Sequence, residues 1–401
     1  MRLPPRQSVL RVTACALGSC VGVSSTIQGG VLTFLGELIR AHANSTLAAA
    51  ADTAPDTRCG TETSSVLMAS LISFSVGVLL LLIVNAGRET RRWRRGEPLG
   101  MQSPDRWWQV TGGLLGCSVM VLSLLALRLT GFALAAVLRA AGTTAASLAL
   151  DRVGCLGTPV RRLTLQRSLG MLLLIAGSAI SVAQELGEAL SHMQQIGGYL
   201  LAAALPLLAG ALLPMQAAIN GRLAKRLGWP LRATFISFLG GLCCLEIAVT
   251  ACGVPADALT ALLGAPWWAF TGGVLGMMMV SANFLLPVYV GFAALSGFVT
   301  FGTLASSLVL DALGAFGLQP RPPTALRIGG ALLALSGAVV TRQHGAARDG
   351  KSLLHALELR SEQPVSASAA ANGAPARAVV DDPEPDGTEA GEDVARTTGT
   401  R

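Results

Sequence analysis

The residues best placed to do chemistry in this sequence are polar side chains set into long apolar runs. Gln216 and Asn220 stand four residues apart within the stretch Gly198 to Asn220, so on a helix they share one face. Lipid supplies no hydrogen-bond partner for two such amides. They either form a polar wall along a solute path or bond to a neighbouring helix, and Pro214 just before them loosens the backbone in both cases. Arg139 and Glu246 lie well inside the apolar stretches Ala133 to Ala149 and Phe235 to Val249. Ionisable groups at that depth point by default to function; the alternative is that they pair with each other or reach back to the interface.

Other chemistry finds no carrier. The sequence holds no serine triad, phosphate-binding glycine loop, zinc spacing or ATP-binding segment, and only four His. Neither an enzyme nor an ATP-driven pump is expected, and neither a cofactor nor a metal. The eight Cys follow no metal-ligand spacing and read as small apolar packers. Cys59 falls in an expected external loop with no evident partner there. Asp151 and Asp311 each precede a glycine, Gly154 or Gly314, at the end of an apolar run. They read either as solvated boundary carboxylates or as gating groups.

The elements that must position these residues follow from composition. The chain has 401 residues, 52% hydrophobic and 13% charged, with a mean hydropathy of +0.57, which excludes an ordinary water-soluble domain. Stretches long enough to cross a bilayer as helices recur along it, without the alternating pattern of an outer-membrane barrel. Spans are predicted near Thr13 to Ile39, Val66 to Gly87, Trp108 to Leu129, Phe132 to Leu150 and Leu169 to Ala183. Five more run near Gly198 to Asn220, Leu231 to Ala251, Trp268 to Val290, Phe292 to Leu310 and Ile328 to Thr341.

The two sets of five are copies. Trp107-Trp108-Gln109-Val110-Thr111-Gly112-Gly113 returns as Trp267-Trp268-Ala269-Phe270-Thr271-Gly272-Gly273, an offset of 267 − 107 = 160. The same offset pairs Gly142-Thr143 with Gly302-Thr303, Asp151 with Asp311, and Arg167 with Arg327. An odd number of spans per copy requires the second copy to lie upside down, and the charges agree. Arg88, Arg91, Arg92, Arg94, Arg95 and Arg106 crowd the loop after the second span, whereas its counterpart, Ala251 to Pro266, has no Lys or Arg. By the positive-inside rule the first of these loops is cytoplasmic, and with ten spans so are both termini.

The expected architecture is therefore an all-α integral membrane protein of two inverted five-helix repeats, about ten transmembrane helices, in the plasma membrane or a bacterial inner membrane. The first repeat occupies 1–190, the second 191–342, and 343–401 is a disordered cytoplasmic tail whose composition cannot bury a core. Inverted duplication in an apolar chain is a common design for secondary transporters. The partners expected are a small-molecule solute and the lipid bilayer, with no nucleic acid; a coupling ion and a homodimer stay open. The alternative function is a membrane interaction or scaffold protein acting through its tail.

Gly210-Ala211-Leu212-Leu213-Pro214-Met215-Gln216-Ala217-Ala218-Ile219-Asn220-Gly221-Arg222, with Leu227-Gly228-Trp229-Pro230 and Ile236-Ser237-Phe238-Leu239-Gly240-Gly241, resembles the YdcZ-type branch of the drug/metabolite transporter superfamily. The first half is more divergent: Gln28 stands where Gln216 does, but Leu32 replaces Asn220 and Phe34 replaces Arg222. Ile72-Ser73-Phe74 with Gly77 mirrors Ile236-Ser237-Phe238 with Gly241. The resemblance implies a fused two-unit exporter of small metabolites or drug-like solutes working by alternating access. The family commonly has Gln after the glycine of the fourth span; here Gly142 and Gly302 are followed by Thr143 and Thr303. The substrate-path candidates are thus Gln28, Gln216, Asn220, Arg139 and Glu246.

Overall fold

Backbone amides in hydrocarbon must be bonded within their own segment, so the apolar runs become helices. The computed structural model describes residues 5–49, 59–97, 101–161, 164–181, 183, 196–254, 260, 262–317, 320 and 322–341. The expected tail, 343–401, lies outside them.

The first half holds α1 (Pro5–Ala49), α2 (Gly60–Arg94), α3 (Gly112–Val153) and α4 (Leu165–Ser181). The second holds α5 (Ile196–Leu227), α6 (Pro230–Ala251), α7 (Gly272–Leu285), α8 (Pro287–Val290), α9 (Phe292–Leu313) and α10 (Ala325–Thr341). Among the described residues six helices are long and apolar enough to cross a membrane, and three shorter apolar helices accompany them. The outward faces carry Leu79, Ile83, Leu172, Ile247, Val309 and Leu332, each at least half exposed. In water such a surface would drive aggregation; in a bilayer it is the face that meets lipid.

One boundary differs from the sequence reading. The third and fourth spans, expected to separate near Thr130, form the single helical segment α3 of 42 residues. Laid straight it would extend about 63 Å, and Gly112 would lie about 57 Å from Leu150. Yet a Cβ on Gly112 would touch Asn220, and Leu150 packs in one cluster with Leu223 and Ala224. Both ends of α3 therefore meet the same end of α5, and the segment folds back on itself between Gly116 and Arg139. In the second half the equivalent turn is a sharp break, at Pro287 and at Gly291 with φ +89°. Leu127 stands where Pro287 does, so the first half lacks the residue that removes a helix donor.

Matching helices of the two halves pack against each other in antiparallel pairs. α2 and α6 run antiparallel: Phe74 stacks on its own counterpart Phe238 with ring centroids 4.9 Å apart, and Asn85 donates to the Leu231 carbonyl. α4 and α10 are also counterparts and also antiparallel, Gly170 meeting Gly337 and Thr341 while Gly177 meets Gly330 and Ala334. A pseudo-twofold axis thus passes between both pairs, as an inverted repeat requires.

Glycine allows this packing where backbones touch. A Cβ on Gly142 would lie 2.1 Å from the Leu207 carbonyl oxygen, and one on Gly302 would lie 2.0 Å from that of Ser19. The first helix of each half is therefore locked against the fourth span of the other half. Thr143 donates to the Gly210 carbonyl (3.1 Å) and Thr303 to that of Gly22 (3.4 Å), so the threonines that follow Gly142 and Gly302 tie the same two seams.

Candidate functional site

A cavity opens on the pseudo-twofold axis, and its walls come in symmetric pairs. Gln28 and Gln216, Ser73 and Ser237, Phe74 and Phe238, and Gly116 and Gly276 all line it. An adjoining chamber runs toward the fourth and ninth spans, lined by Thr143, Ser147, Asn283, Phe292, Ser296 and Val299 among others. Ser25, Arg139, Leu213 and Met279 border both chambers. In this conformation the chambers leave about 80 and 110 Å3 of free space, less than an open small-molecule site of a few hundred Å3.

The two glutamines reach the axis by one device used twice. Gln216 sits over Gly116, where a Cβ would be 2.4 Å from its Nε2, and Gln28 sits over Gly276, where the distance would be 2.5 Å. Gly116 and Gly276, in the third and eighth spans, thus make room for an amide head from the opposite half, whereas Gly113 and Gly273 allow the close backbone approach to α6 and α2. Neither glutamine side chain bonds to a described residue, which leaves both amides turned to the cavity.

Asn220 behaves differently although it shares their helix face. It is fully buried, donates to the Ser237 hydroxyl at 3.2 Å, and lies outside both chambers. Its counterpart Leu32 occupies the matching place beside Gly272 and Ser73.

Arg139 borders the cavity, and among the described residues its guanidinium has no hydrogen bond or ion pair. Its counterpart Val299 lines the same space. Glu246 is exposed on the outer face of α6, between the buried Leu245 and the 70% exposed Ile247. The core-facing stripe of α6 is Gly241, Leu245 and Val249, and one step of 100° carries Glu246 off it. The structure therefore does not bring Arg139 and Glu246 together.

Three further features flank the cavity, the first two of them not foreseen from the sequence. Asp151 is 1% exposed rather than solvated: it pairs with buried Arg167 and accepts from the amides of Phe292 (3.3 Å) and Ala293 (3.2 Å). Those are the first amides of α9, whose partial positive charge favours a carboxylate. Asp311 pairs with Arg327 in the same way but keeps its side chain 25% exposed. The signal was an Asp followed sixteen residues later by an Arg, once in each half.

The second is a disulfide between Cys59 and Cys252, 193 residues apart, joining the ends of α2 and α6. The third is a basic face at the opposite ends of those helices. There Arg232 pairs with Glu89, Arg226 with Asp105, and Arg88 stacks 4.1 Å over Trp229.

No curated protein matches this chain. A solved structure named only "Crystal structure of protein" is similar over 90% of this chain and all of its own, at 15% identity and a TM-score of 0.48. The model of the family described as "Putative inner membrane exporter, YdcZ" matches residues 47–180 and 201–340. The first match begins after most of α1, the helix where Leu32 and Phe34 depart from the second half. Matched over more than half its length, and in both of its inverted halves, the chain belongs to the YdcZ family of multi-pass inner-membrane exporters.

Proposed function

We propose that this protein is a secondary transporter that exports a small solute by alternating access through the axial cavity. The observation that carries the reading is the cavity itself, built from pairs of counterpart residues on an inverted pseudo-twofold axis. With a site on such an axis, rocking of one half against the other exchanges which side it faces without moving the site. Gln28 and Gln216 serve as the polar contacts, Phe74 and Phe238 as the apolar ones. Asn220 holds α5 to α6 beside the path, and Glu246 stands away from it.

In the proposed orientation both termini are cytoplasmic. Two independent signals favour it: the basic face at the Arg94 end of α2, which the positive-inside rule assigns to the cytoplasm, and the Cys59 to Cys252 disulfide at the opposite face, which belongs in an oxidising compartment.

The test compares metabolites in the medium and in cells expressing the wild-type chain or Gly29→Trp. Gly29 lines the cavity, and a Cβ there meets nothing within 4 Å, so an indole fills the path without displacing backbone. Wild type should enrich at least one solute in the medium and the variant should not. Identical profiles at equal membrane abundance would remove the transport reading and leave the scaffold alternative.

A further inference from the structure

We infer that the exported solute is a small organic monoanion, a carboxylate on an apolar body, held by Arg139. This rests on the transport reading and names its substrate class. A guanidinium within the hydrocarbon zone is costly to insert, and a transmembrane protein that retains one ordinarily gives it a partner. Arg139 has none among the described residues, and it borders both chambers of the cavity. The scaffold does not need the charge, because the symmetry-related position is Val299 and lines the same space.

The surroundings define the partner. Among the described lining residues Arg139 is the one charged group, so the cavity lining carries a net positive charge that an anion neutralises. The guanidinium fork matches a carboxylate through two parallel hydrogen bonds. Thr143, Ser147, Asn283 and Ser296 offer further polar contacts nearby, whereas Leu213, Met279, Phe292, Leu295 and Leu304 form an apolar wall. A single cation with so much apolar lining fits one negative charge joined to a hydrophobic body better than a multiply charged phosphate. The direction also follows: an interior-negative membrane potential pushes such an anion outward.

The experiment profiles the medium of cells expressing wild type, Gly29→Trp, Arg139→Val and Arg139→Lys, with membrane abundance measured for each. The solutes that wild type enriches and Gly29→Trp does not should be organic acids ionised at pH 7. Their export should fall at least tenfold in Arg139→Val, which copies Val299, and persist in part in Arg139→Lys, which keeps the charge without the fork. In proteoliposomes of the wild-type chain loaded with the most enriched acid, an interior-negative potassium diffusion potential should accelerate efflux. Enriched solutes that are neutral or cationic, or undiminished export by Arg139→Val, would overturn the anion assignment while transport stood. Should Arg139→Val not accumulate, an efflux rate indifferent to the imposed potential would overturn the assignment. Absence of any solute that separates wild type from Gly29→Trp would instead count against the transport reading itself.

Discussion

Gln216 and Asn220 share a helix face four residues apart, yet only Gln216 looks into the cavity. The difference lies in what the opposite half places beneath each one. Gly116 leaves a slot through which Gln216 reaches the axis, whereas Asn220 is closed over by Gly112 and bonded to Ser237. Periodicity brings both residues to one face but cannot distinguish a slot from a lid. Asn220→Leu should therefore cost about 1 kcal/mol of stability, a typical net worth of one hydrogen bond, and leave export near wild type. Gln216→Leu should leave abundance unchanged and reduce export several-fold. Efflux normalised to folded protein checks both. Asp151 carries a larger stake: removing one member of a buried ion pair costs about 3 to 5 kcal/mol. Asp151→Leu should abolish stable insertion, measured as detergent-resistant folded protein, while Asp311→Leu, whose carboxylate is 25% exposed, should cost visibly less.

At the scale of elements, the spans were legible because apolar length and a 160-residue offset are both written in the chain. Span bounds place a break near Thr130 in the first half and near Gly291 in the second. Pro287 and Gly291 break the second, whereas Leu127 stands in the place of Pro287 in the first. The partner of Cys59 was hidden for another reason: Cys252 is brought to it only by the antiparallel meeting of α2 and α6, which no local spacing encodes. This bridge gives a direct test of orientation. An impermeant maleimide on intact cells should leave Cys59 unlabelled in wild type and label it in Cys252→Ala. Cys155, exposed in the turn after α3, should react only once the membrane is opened. Labelling of Cys155 in intact cells would reverse the proposed orientation.

For the whole molecule, the decisive property is that two inverted halves share one cavity without a described carboxylate or metal cluster in it. Small residues at the seams, Gly22 on Val299 and Gly210 on Arg139, let backbones touch, so motion is expected as rocking of packed units rather than as loosening of single helices. Residues 343–401 lie outside the described residues, and truncation after Thr341 should leave export at wild-type rate if transport is the function. A scaffold working through its tail would lose its activity with that deletion. The central claim, that one site faces each side in turn, is tested most directly with a cysteine at Gly29, placed in the cavity where nothing crowds it. An impermeant maleimide would be added separately to right-side-out and inside-out vesicles, and the modified residue identified by mass spectrometry. Alternating access predicts reaction at position 29 from both sides in membranes that stay tight to the reagent. Reaction from one side alone, or from neither, would contradict it.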